Sequence, residues 1–350
     1  LNIDTRKLYQ YMDIVMIGTV ADVVPMLDEN RIIIKKGLQA LKRTKIKGLM
    51  YLLKYLKFQK KDINTTDVSY FISPLINSLG RIGISKMGAD FFLKEDDFEI
   101  YNIIEEMKKS NKKRRDLEKM IYDEATHAIS KKDKKTLKSI FLSSEKWHPG
   151  VIGVVSSRLS VKYNLPVTLV AFKDGIGKAS CRSVKGISVF NIFQKMGNKL
   201  VRFGGHDLAA GFIVTQENLE DVKNIFEESI KNFHAENEKK TLKIDAEYSL
   251  ENIDERIFKV MEDIAPYGLD NPHPLFLDTN LTFENIRKFG KIYHMVAFDL
   301  GHKINELEAK IQKFDIVYYP EKTIYKGEEI LQIRIKDIKI KDDFYEIFTK

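Results

Sequence analysis

The first hundred residues combine one wholly apolar run with segments of helical periodicity. Residues 13–27, DIVMIGTVADVVPML, begin with an almost entirely apolar stretch, which is typical of a strand covered on both faces. Apolar residues recur at helical spacing in 31–43 and 46–57, and NTTD at 64–67 predicts a helix cap before a helical stretch from Ser69. A strand followed by helices predicts an α/β fold.

Residues 97–130 predict one long helix, because they contain neither proline nor glycine. The apolar positions form only a narrow stripe, and the centre, KKSNKKRRD, is nearly all polar. A helix that is polar all round commonly bridges two domains. Two interpretations of the basic run stay open, namely a solvated helix face and a connector that faces nucleic acid.

Residues 135–237 predict a second α/β block. VIGVVSSRLSVKYN at 151–164 has helical spacing and lies between two strand patterns, at 138–145 and 166–175. Further helices are predicted at 188–200 and 218–240, and the polar residues 235–240 predict a linker.

Residues 241–341 are richer in strand patterns. Apolar and polar residues alternate in LTFENIRKFG, YHMVAFDLG and GEEILQIRIKDIKI. Several short strands within such a length predict a small barrel or sandwich.

Composition and charge narrow the class of protein. The 350 residues predict two or three domains, and 43% hydrophobic residues exclude a wholly disordered chain. Lysine and arginine number 58 against 50 acidic residues, which gives a net charge of +8. This excess favours a polyanionic partner, nucleic acid first, although a lysine-rich proteome makes many enzymes basic.

The sequence also bears on the compartment. A single cysteine, Cys181, excludes an internal disulfide and predicts a reducing, cytoplasmic location. No apolar run is long enough for a spanning helix and no signal peptide is visible, so no membrane partner is expected. Because the chain begins with Leu1 close to an apolar run, it is expected to start inside a larger protein.

Asp22 is the first candidate functional residue. It follows the predicted buried strand, at the kind of position where α/β proteins place ligands and metals. A charge there is costly unless it is paired or bound to metal. A helix-cap or turn aspartate is the alternative interpretation. Asp13, at the other end of the same run, is interpreted as structural.

The second candidate lies in SPLINSLGRIG, residues 73–83. Asn77 and Arg81 are four residues apart and would share one face of a helix. Arg81 lies between Gly80 and Gly83, which would let it approach a phosphate closely. The alternative is an ordinary surface arginine in a turn.

The third candidate, WHPGVIG at 147–153, lies at a predicted strand-to-helix junction. The backbone N–H groups at the helix start would form an anion site. An aromatic residue before a helix is commonly a packing residue, so Trp147 and His148 are assigned to support of the fold.

The fourth candidate, GKASCRS at 177–183, combines an arginine with hydroxyl groups. Alternate residues of a strand share a face, so Ser180 and Arg182 would point together, with the Ser183 hydroxyl nearby. Such donors suit a terminal phosphate or a carboxylate. Cys181 would point away and is expected to be a buried structural thiol.

The fifth candidate is RFGGHDLAAGF at 202–212. Its glycines would let the backbone pass close to a ligand, and His206 follows them directly. A lone histidine is more commonly structural. The small residues Ala209, Ala210 and Gly211 predict a helix packed tightly on a sheet.

Other chemistries find little support. Two-ion metal chemistry needs several carboxylates and histidines in one place, and none of the seven histidines forms an HxxxH or HxH pair. The sequence contains no phosphate-binding Walker loop and suggests no catalytic triad.

In this order, the motifs resemble those of the bacterial RecJ family, single-strand-specific 5′ to 3′ DNA exonucleases of the DHH phosphoesterase superfamily. PYGLDNPHPLF at 266–276 also resembles the start of the family's OB-fold domain. The resemblance covers residues 10–340. It rests on GTVADVVPMLDENRIIIKKGL (18–38), INSLGRIG (76–83), WHPGVIGVVSSRL (147–159), GKASCRS (177–183) and RFGGHDLAAGF (202–212).

The resemblance implies an α/β chain of four parts. Residues 1–95 would be the C-terminal part of a DHH domain and 96–134 a connecting helix. Residues 135–237 would form the DHH-associated, substrate-binding domain, and 241–341 a β-rich OB-fold domain.

The resemblance also implies roles for single residues. In the family two Mn or Mg ions activate a water for attack on the phosphodiester, and Asp22 would be a metal ligand and catalytic residue. Ser180 and Arg182 would bind the 5′ phosphate. Arg81 and His206 would contact the DNA backbone near the scissile bond, with His206 also catalytic.

The implied partner is single-stranded DNA with a 5′ end, in DNA repair and recombination. A single-strand binding protein is a further candidate partner, and a monomer is expected. The OB-fold would guide the strand by basic residues and aromatic stacking. Its candidates are Arg287, Lys288, Phe289, Lys291 and Tyr293, although aromatic residues in a small barrel usually belong to the core.

One departure from the family matters. Its first three motifs, including the DHH triplet, are expected upstream of residue 1, and Asp22 alone cannot hold two ions. This piece is therefore expected to be inactive by itself. Two alternatives stay open: a nuclease-inactive DNA-binding paralogue, and a DHH phosphoesterase of short oligonucleotides, although such members typically lack an OB-fold.

Overall fold

The computed structural model describes residues 9–59, 62–133, 137–231, 241–298, 300, 313–325 and 328–341. The chain divides into two compact units, Leu1–Ser73 with Lys240–Lys350, and Pro74–Lys239. Within the described residues, no helix combines the length and apolar character needed to cross a membrane.

Among the described residues, helices alone occupy the chain up to Ser130, and strands and helices are mixed from Ile140 onward. The helices of seven or more residues are α1 (Met12–Ala21), α2 (Asp28–Leu41), α3 (Lys47–Tyr55), α4 (Ser73–Arg81), α5 (Ser85–Leu93), α6 (Asp97–Ser130), α7 (Ile152–Tyr163), α8 (Val189–Met196), α9 (Leu219–Ile230), α10 (Glu255–Ile264) and α11 (Phe283–Phe289). The strands are β1 (Ile140–Ser144), β2 (Val167–Lys173), β3 (Ile176–Arg182), β4 (Arg202–His206), β5 (Ala209–Thr215), β6 (Ala246–Glu247), β7 (Phe276–Leu281), β8 (His294–Ala297), β9 (Phe314–Tyr325) and β10 (Glu328–Ile340).

The apolar run near the start of the first unit is the helix α1, so the strand prediction for it is wrong. Its buried residues are Asp13, Met16, Ile17 and Val20, which recur at the spacing of one helical face. An unbroken apolar run does not separate a buried strand from a buried helix, because both lack a polar face.

Helices α1 and α2 cross in very close contact. A Cβ atom added to Gly37 of α2 would lie 2.2 Å from the Met16 Cβ and 2.5 Å from the Met12 carbonyl oxygen. Met16 is fully buried at this crossing. Only a residue without a side chain allows this approach.

The predicted cap at 64–67 is confirmed. The Asn64 side chain accepts a hydrogen bond from the Asp67 N–H at 3.0 Å, and the Asp67 carboxylate accepts one from the Asn64 N–H at 3.1 Å. This reciprocal capping box starts the helical segment at Thr65, ahead of Ser69.

The second half of the first unit is a five-stranded sheet of order β6-β7-β9-β10-β8, packed with α10 and α11. The long antiparallel pair β9–β10 dominates it. LTFENIRKFG is not a strand beyond Leu281, because Thr282 and Asn285 form a capping box that starts α11. Part of the predicted strand region, 301–312, lies outside the described residues.

The loop after α10 joins the helices of the first unit to its sheet. The Leu269 carbonyl accepts a hydrogen bond from the Met26 N–H at 2.7 Å, and the Tyr267 carbonyl accepts one from the Thr65 hydroxyl at 2.7 Å. Arg31 of α2 donates to the Ala265 carbonyl at 3.1 Å and to the carbonyls on either side of it. The guanidinium therefore caps the end of α10.

His273 connects this loop to the sheet by ring stacking. Its imidazole centroid lies 3.8 Å from that of Tyr267 and 4.3 Å from that of Tyr319 in β9. Burial, together with the nearby charges of Lys336 and Arg334, lowers the pKa of His273 to about 4. The ring is therefore neutral at neutral pH.

The second unit is a sheet with helices on both faces. Its strand order is β1-β2-β3-β5-β4; β1 and β2 are parallel and the other pairs are antiparallel. Residues of α6 and α7 pack on one face, and residues of α8 and α9 on the other. The predicted strand–helix–strand order at 138–175 is confirmed.

The predicted long helix is also confirmed as α6. Its polar centre is not exposed all round, because Ser110 and Asn111 are buried, with 2% and 9% of their surfaces exposed. The Ser78 hydroxyl of α4 donates to the Met107 carbonyl at 3.2 Å. The helix that follows β5 ends at Ile230, and the predicted linker at 235–240 lies outside the described residues.

We expect Gly37→Ala to lower the free energy of unfolding by about 1–3 kcal/mol, because the added methyl overpacks the α1–α2 crossing. Gly18→Ala is the matched control, since a Cβ at Gly18 meets nothing within 4 Å. It should be neutral or stabilising by roughly 0.5–1 kcal/mol. Urea unfolding measures both, and equal effects would contradict the close crossing.

We expect the wild type to lose stability as the pH falls from 7 towards 4, relative to His273→Phe. The unfolded imidazole takes up a proton near its ordinary pKa, whereas the folded one does so only near 4. Phenylalanine keeps the stack and does not titrate. Thermal unfolding of both proteins across this range checks the result, and parallel curves would exclude a neutral buried His273.

Candidate functional site

Ser180 and Arg182 share one face of β3, as the strand alternation predicts. The Arg182 Nη1 atom donates to the Ser180 hydroxyl at 3.3 Å and to the Cys181 carbonyl at 2.9 Å. Arg182 is half-buried. Hydrogen bonds to its neighbours hold the guanidinium beside the serine hydroxyl.

Cys181 points to the opposite face and lies in the core with α8 and α9. It is fully buried, and burial raises the pKa of its thiol to about 12. The prediction of a buried structural thiol is confirmed, because a neutral, inaccessible thiol is a poor nucleophile.

The first turn of α7 lies directly over the serine–arginine pair. A Cβ atom on Gly153 would be 3.0 Å from the Ser180 Oγ and 3.7 Å from the Arg182 Nη2. Gly153 thus brings the helix start and its positive dipole end close to both side chains. Sequence reasoning assigned the helix start and the strand separately and missed this contact.

Arg81 reaches the same helix start from the end of α4. Its Nη1 atom donates to the Gly150 carbonyl at 3.4 Å, and a Cβ on Gly150 would lie 2.1 Å from the Arg81 carbonyl oxygen. The His148 Nδ1 atom accepts the Gly150 N–H at 3.1 Å. Asn77, one turn earlier, is exposed like Arg81.

Trp147 supports the fold. Its ring is buried, and its Nε1–H donates to the Glu124 carboxylate of α6 at 2.8 Å. His148 has a structural role through its bond to Gly150. Burial lowers the pKa of His148, and the nearby charge of Lys113 lowers it further.

The charge around Arg182 is positive. Burial lowers the pKa of Arg182, and the like charge of Arg81 adds to that effect. Burial also lowers the pKa of Arg114 in α6, against the opposing effect of Glu118, and Arg81 is again among the causes. Within the described part of the chain, no carboxylate forms an ion pair with Arg81 or Arg182. Such cations favour an anion.

His206 ends β4 in a tight hairpin, so the helix predicted at Ala209–Gly211 is wrong. Arg182 and His206 both pair with Ala209, one from each side. Gly205 has φ of +135°, and a Cβ there would lie 2.4 Å from the Ala210 Cα. The small residues serve this close strand pairing. His206 itself is exposed.

The row of paired residues that starts at Ser180 continues across the sheet with two glycines, which carry no side chains. Ser180 pairs with Gly211 of β5, and Gly211 pairs with Gly204 of β4. Paired residues point to the same face, so this row forms a bare floor next to the serine–arginine pair. Only the strand register reveals this floor.

Asp22 belongs to the first unit. It lies at the C-terminal end of α1, where its N–H donates to the Gly18 carbonyl, and not beyond a buried strand as predicted. Its side chain is exposed. Across the residues that the structure describes, no group of three or more His, Cys, Asp or Glu side chains is arranged to hold a metal. The role of Asp22 as a metal ligand stays a prediction.

The aromatic candidates of the second half of the first unit are structural. Phe289 lies in the core with 2% of its surface exposed, and the Tyr293 hydroxyl donates to the Ile253 carbonyl at 2.8 Å. Arg287 lies over the Phe283 ring, Lys288 pairs with the Glu251 carboxylate, and Lys291 is exposed.

A different aromatic residue is accessible on that sheet. Phe298, just after β8, is 61% exposed, and the Arg334 guanidinium carbon lies 4.8 Å from its ring centroid. Sequence reasoning missed this pair because its two members are far apart in the chain. The alternation of β10 was the available signal for Arg334.

The family models support the order of the two C-terminal parts. Residues 134–232 match the DHHA1 domain, and residues 244–337 match the RecJ OB domain.

Curated proteins named single-stranded-DNA-specific exonuclease RecJ are similar over most of this chain. The protein from Bacillus subtilis is 29% identical over 303 residues, 86% of this chain and 38% of that protein. The protein from Thermus thermophilus is 30% identical over 292 residues, 83% of this chain and 41% of its own length. The protein from Haemophilus influenzae is 24% identical over 357 residues, 95% of this chain and 62% of its own length.

Solved structures show the same fold. The crystal structure of RecJ from Thermus thermophilus in complex with Mg²⁺ matches 95% of this chain and 53% of its own, with a TM-score of 0.78 and 22% identity. An exonuclease RecJ bound to manganese matches 65% of this chain and 56% of its own, with a TM-score of 0.56 and 29% identity. On these matches the chain belongs to the RecJ family, of which it carries a DHHA1 domain followed by an OB domain.

Proposed function

We propose that this chain serves a RecJ-type single-stranded-DNA-specific exonuclease by binding the 5′ end of the strand. The observation that carries the proposal is the half-buried Arg182, held beside the Ser180 hydroxyl under the start of α7. Among the residues that the structure describes, it has no carboxylate partner. Relatives of this chain are named single-stranded-DNA-specific exonucleases, so a DNA strand is the anion that we propose for this site.

A 5′-terminal phosphate suits this group of donors. The guanidinium offers a planar fork of N–H groups, the serine offers a hydroxyl, and the helix start adds its dipole. The bare floor of Gly211 and Gly204 leaves room for the phosphate oxygens beside Ser180. A terminal phosphate carries more negative charge than an internal diester, so this site would favour strand ends and a 5′ to 3′ direction.

Arg81 and His206 would contact the backbone next to the terminal phosphate. Arg81 is exposed and fixed to the Gly150 carbonyl, and His206 shares the Ala209 row with Arg182. We propose that both bind the phosphodiester to be cut, and that His206 acts directly on the reacting group.

The described residues of this chain do not form a complete metal site by themselves. The related structures hold Mg²⁺ or Mn²⁺. Here Asp22 is exposed, and the described residues offer no set of three donors in one place. We propose Asp22 as one ligand of a metal that would supply the activated water, and we assign no hydrolytic step to this chain alone. The chain spans 38% to 62% of the length of these curated relatives.

The exposed Phe298, with the half-buried Arg334 over its ring, is the proposed contact for bases on the OB domain. A flat ring under a guanidinium can stack a base, and such stacking tolerates any sequence. We propose Phe298 for this role instead of Phe289 and Tyr293. Phe289 is buried in the core, and the Tyr293 hydroxyl donates to a backbone carbonyl. The activity proposed here would serve DNA repair and recombination in the cytoplasm.

We expect Arg182→Ala to weaken binding of a 5′-phosphorylated single strand roughly 10- to 100-fold, because charge-assisted hydrogen bonds are lost. A strand with a 5′ hydroxyl should change little. Arg202→Ala is the matched control, since Arg202 is exposed near the other end of β4. Fluorescence anisotropy with both strands measures the effect, and equal losses for the two strands would refute the phosphate site.

We expect Gly153→Ala to lower the preference for the 5′ phosphate about tenfold, because the new methyl would crowd the Ser180 hydroxyl, 3.0 Å from the added Cβ. Gly88→Ala in α5 is the control, since a Cβ there meets nothing within 4 Å. Melting temperatures of both variants separate a local effect from unfolding. A folded Gly153→Ala protein with an unchanged preference would count against the site.

A further inference from the structure

The basic run of α6 divides into two faces with different surroundings. Lys109, Lys112 and Lys113 lie at positions i, i+3 and i+4 and are all exposed. In the described part of the molecule no ion pair involves them. They form one continuous positive face, called here the lysine face.

Two other basic residues of the same run, Lys108 and Arg114, form ion pairs, whereas the exposed Arg115 has none among the described residues. Arg114 pairs with the Glu118 carboxylate at 3.0 Å, and Arg158 of α7 lies 4.0 Å from the same carboxylate. Lys108 pairs with Glu105 at 2.7 Å. The lysine face therefore differs from the positions of Lys108 and Arg114, because its three lysines have no ion-pair partner among the described residues.

A shallow groove of about 420 Å³ runs along the lysine face. Beyond the three lysines it is lined by Asp116, Leu117 and Met120. Leu117 and Met120 are partly buried against the core of the second unit, so they give the groove an apolar floor. Three lysines and one aspartate leave the groove with a net positive charge.

The lysine face continues the charged surface of the proposed phosphate site. Lys113 is close enough to His148 for its charge to affect that imidazole. His148 binds the Gly150 N–H, and Arg81 binds the Gly150 carbonyl. The like charge of Arg81 in turn lowers the pKa of Arg182. Positive groups therefore follow one another from Arg182 to Lys113 within one unit.

We propose that the lysine face is a second binding site for the backbone of the same DNA strand. The proposal rests on the proposed function, because it assumes that a strand is bound at Ser180 and Arg182. The lysines bind internal phosphates, and Leu117 and Met120 contact the sugars and base edges. Charge complementarity favours this occupant, since a run of lysines without carboxylate partners attracts a polyanion.

The test compares two triple variants of equal charge. One is Lys109→Ala, Lys112→Ala and Lys113→Ala; the control is Lys131→Ala, Lys173→Ala and Lys195→Ala, three exposed lysines on other surfaces. Binding is measured by anisotropy with a 5′-phosphorylated strand of about 20 nucleotides and with a 5′-phosphorylated tetranucleotide. Melting temperatures confirm that both variants fold.

The lysine-face variant should bind the long strand about tenfold more weakly, with the tetranucleotide unchanged. The slope of log affinity against log salt should fall by about 2, since each phosphate contact on a single strand contributes about 0.7. The control should change neither quantity. An equal loss of DNA affinity in both variants would overturn the proposal. The proposal would also fail if the lysine-face variant lost binding to a polyglutamate peptide while its DNA affinity stayed intact.

Arg182→Ala separates the two proposals. If it weakens the tetranucleotide while the lysine-face variant behaves like its control, the second site is wrong and the phosphate site stands. If it has no effect on either 5′-phosphorylated ligand, the proposed function fails first.

Discussion

Arg182 is a half-buried guanidinium to which the described residues offer no carboxylate partner, and the candidate site depends on this charge. Arg182 loses part of its hydration in β3, and among the described residues it donates to the Ser180 hydroxyl and a backbone carbonyl. An ion pair would have stabilised it at lower cost, but would also have neutralised it. The uncompensated charge is what makes this place suited to an external anion.

Small residues allow the arrangement, because they let the backbone of three elements meet around that charge. Gly153 brings the start of α7 against the serine–arginine pair, and Gly150 brings the preceding loop against the end of α4. Gly211 and Gly204 then leave the neighbouring strands bare. A Cβ atom at Gly150, Gly153 or Gly211 would lie 3.0 Å or less from a neighbouring oxygen atom, so these close approaches depend on glycine.

The first unit is held together by contacts of another kind. Arg31 and Thr65, together with Met26 of the loop between α1 and α2, bind carbonyl groups of one loop that follows α10, far away in the sequence. His273 then stacks that loop against Tyr319 of the sheet. The helical and the β-rich parts of this unit therefore share one loop, whose backbone carbonyls are satisfied by the helices.

The sequence determined what depends on local periodicity and local hydrogen bonding. Strand alternation placed Ser180 and Arg182 on one face and Cys181 on the other, the cap at Asn64 followed from its pattern, and the long helix α6 followed from its composition. Only the tertiary structure decided the rest. It made the apolar run of α1 a helix, paired β4 with β5, and distinguished the lysine face from the paired Arg114. In each case the deciding contact comes from a residue distant in the chain, which a local pattern does not contain.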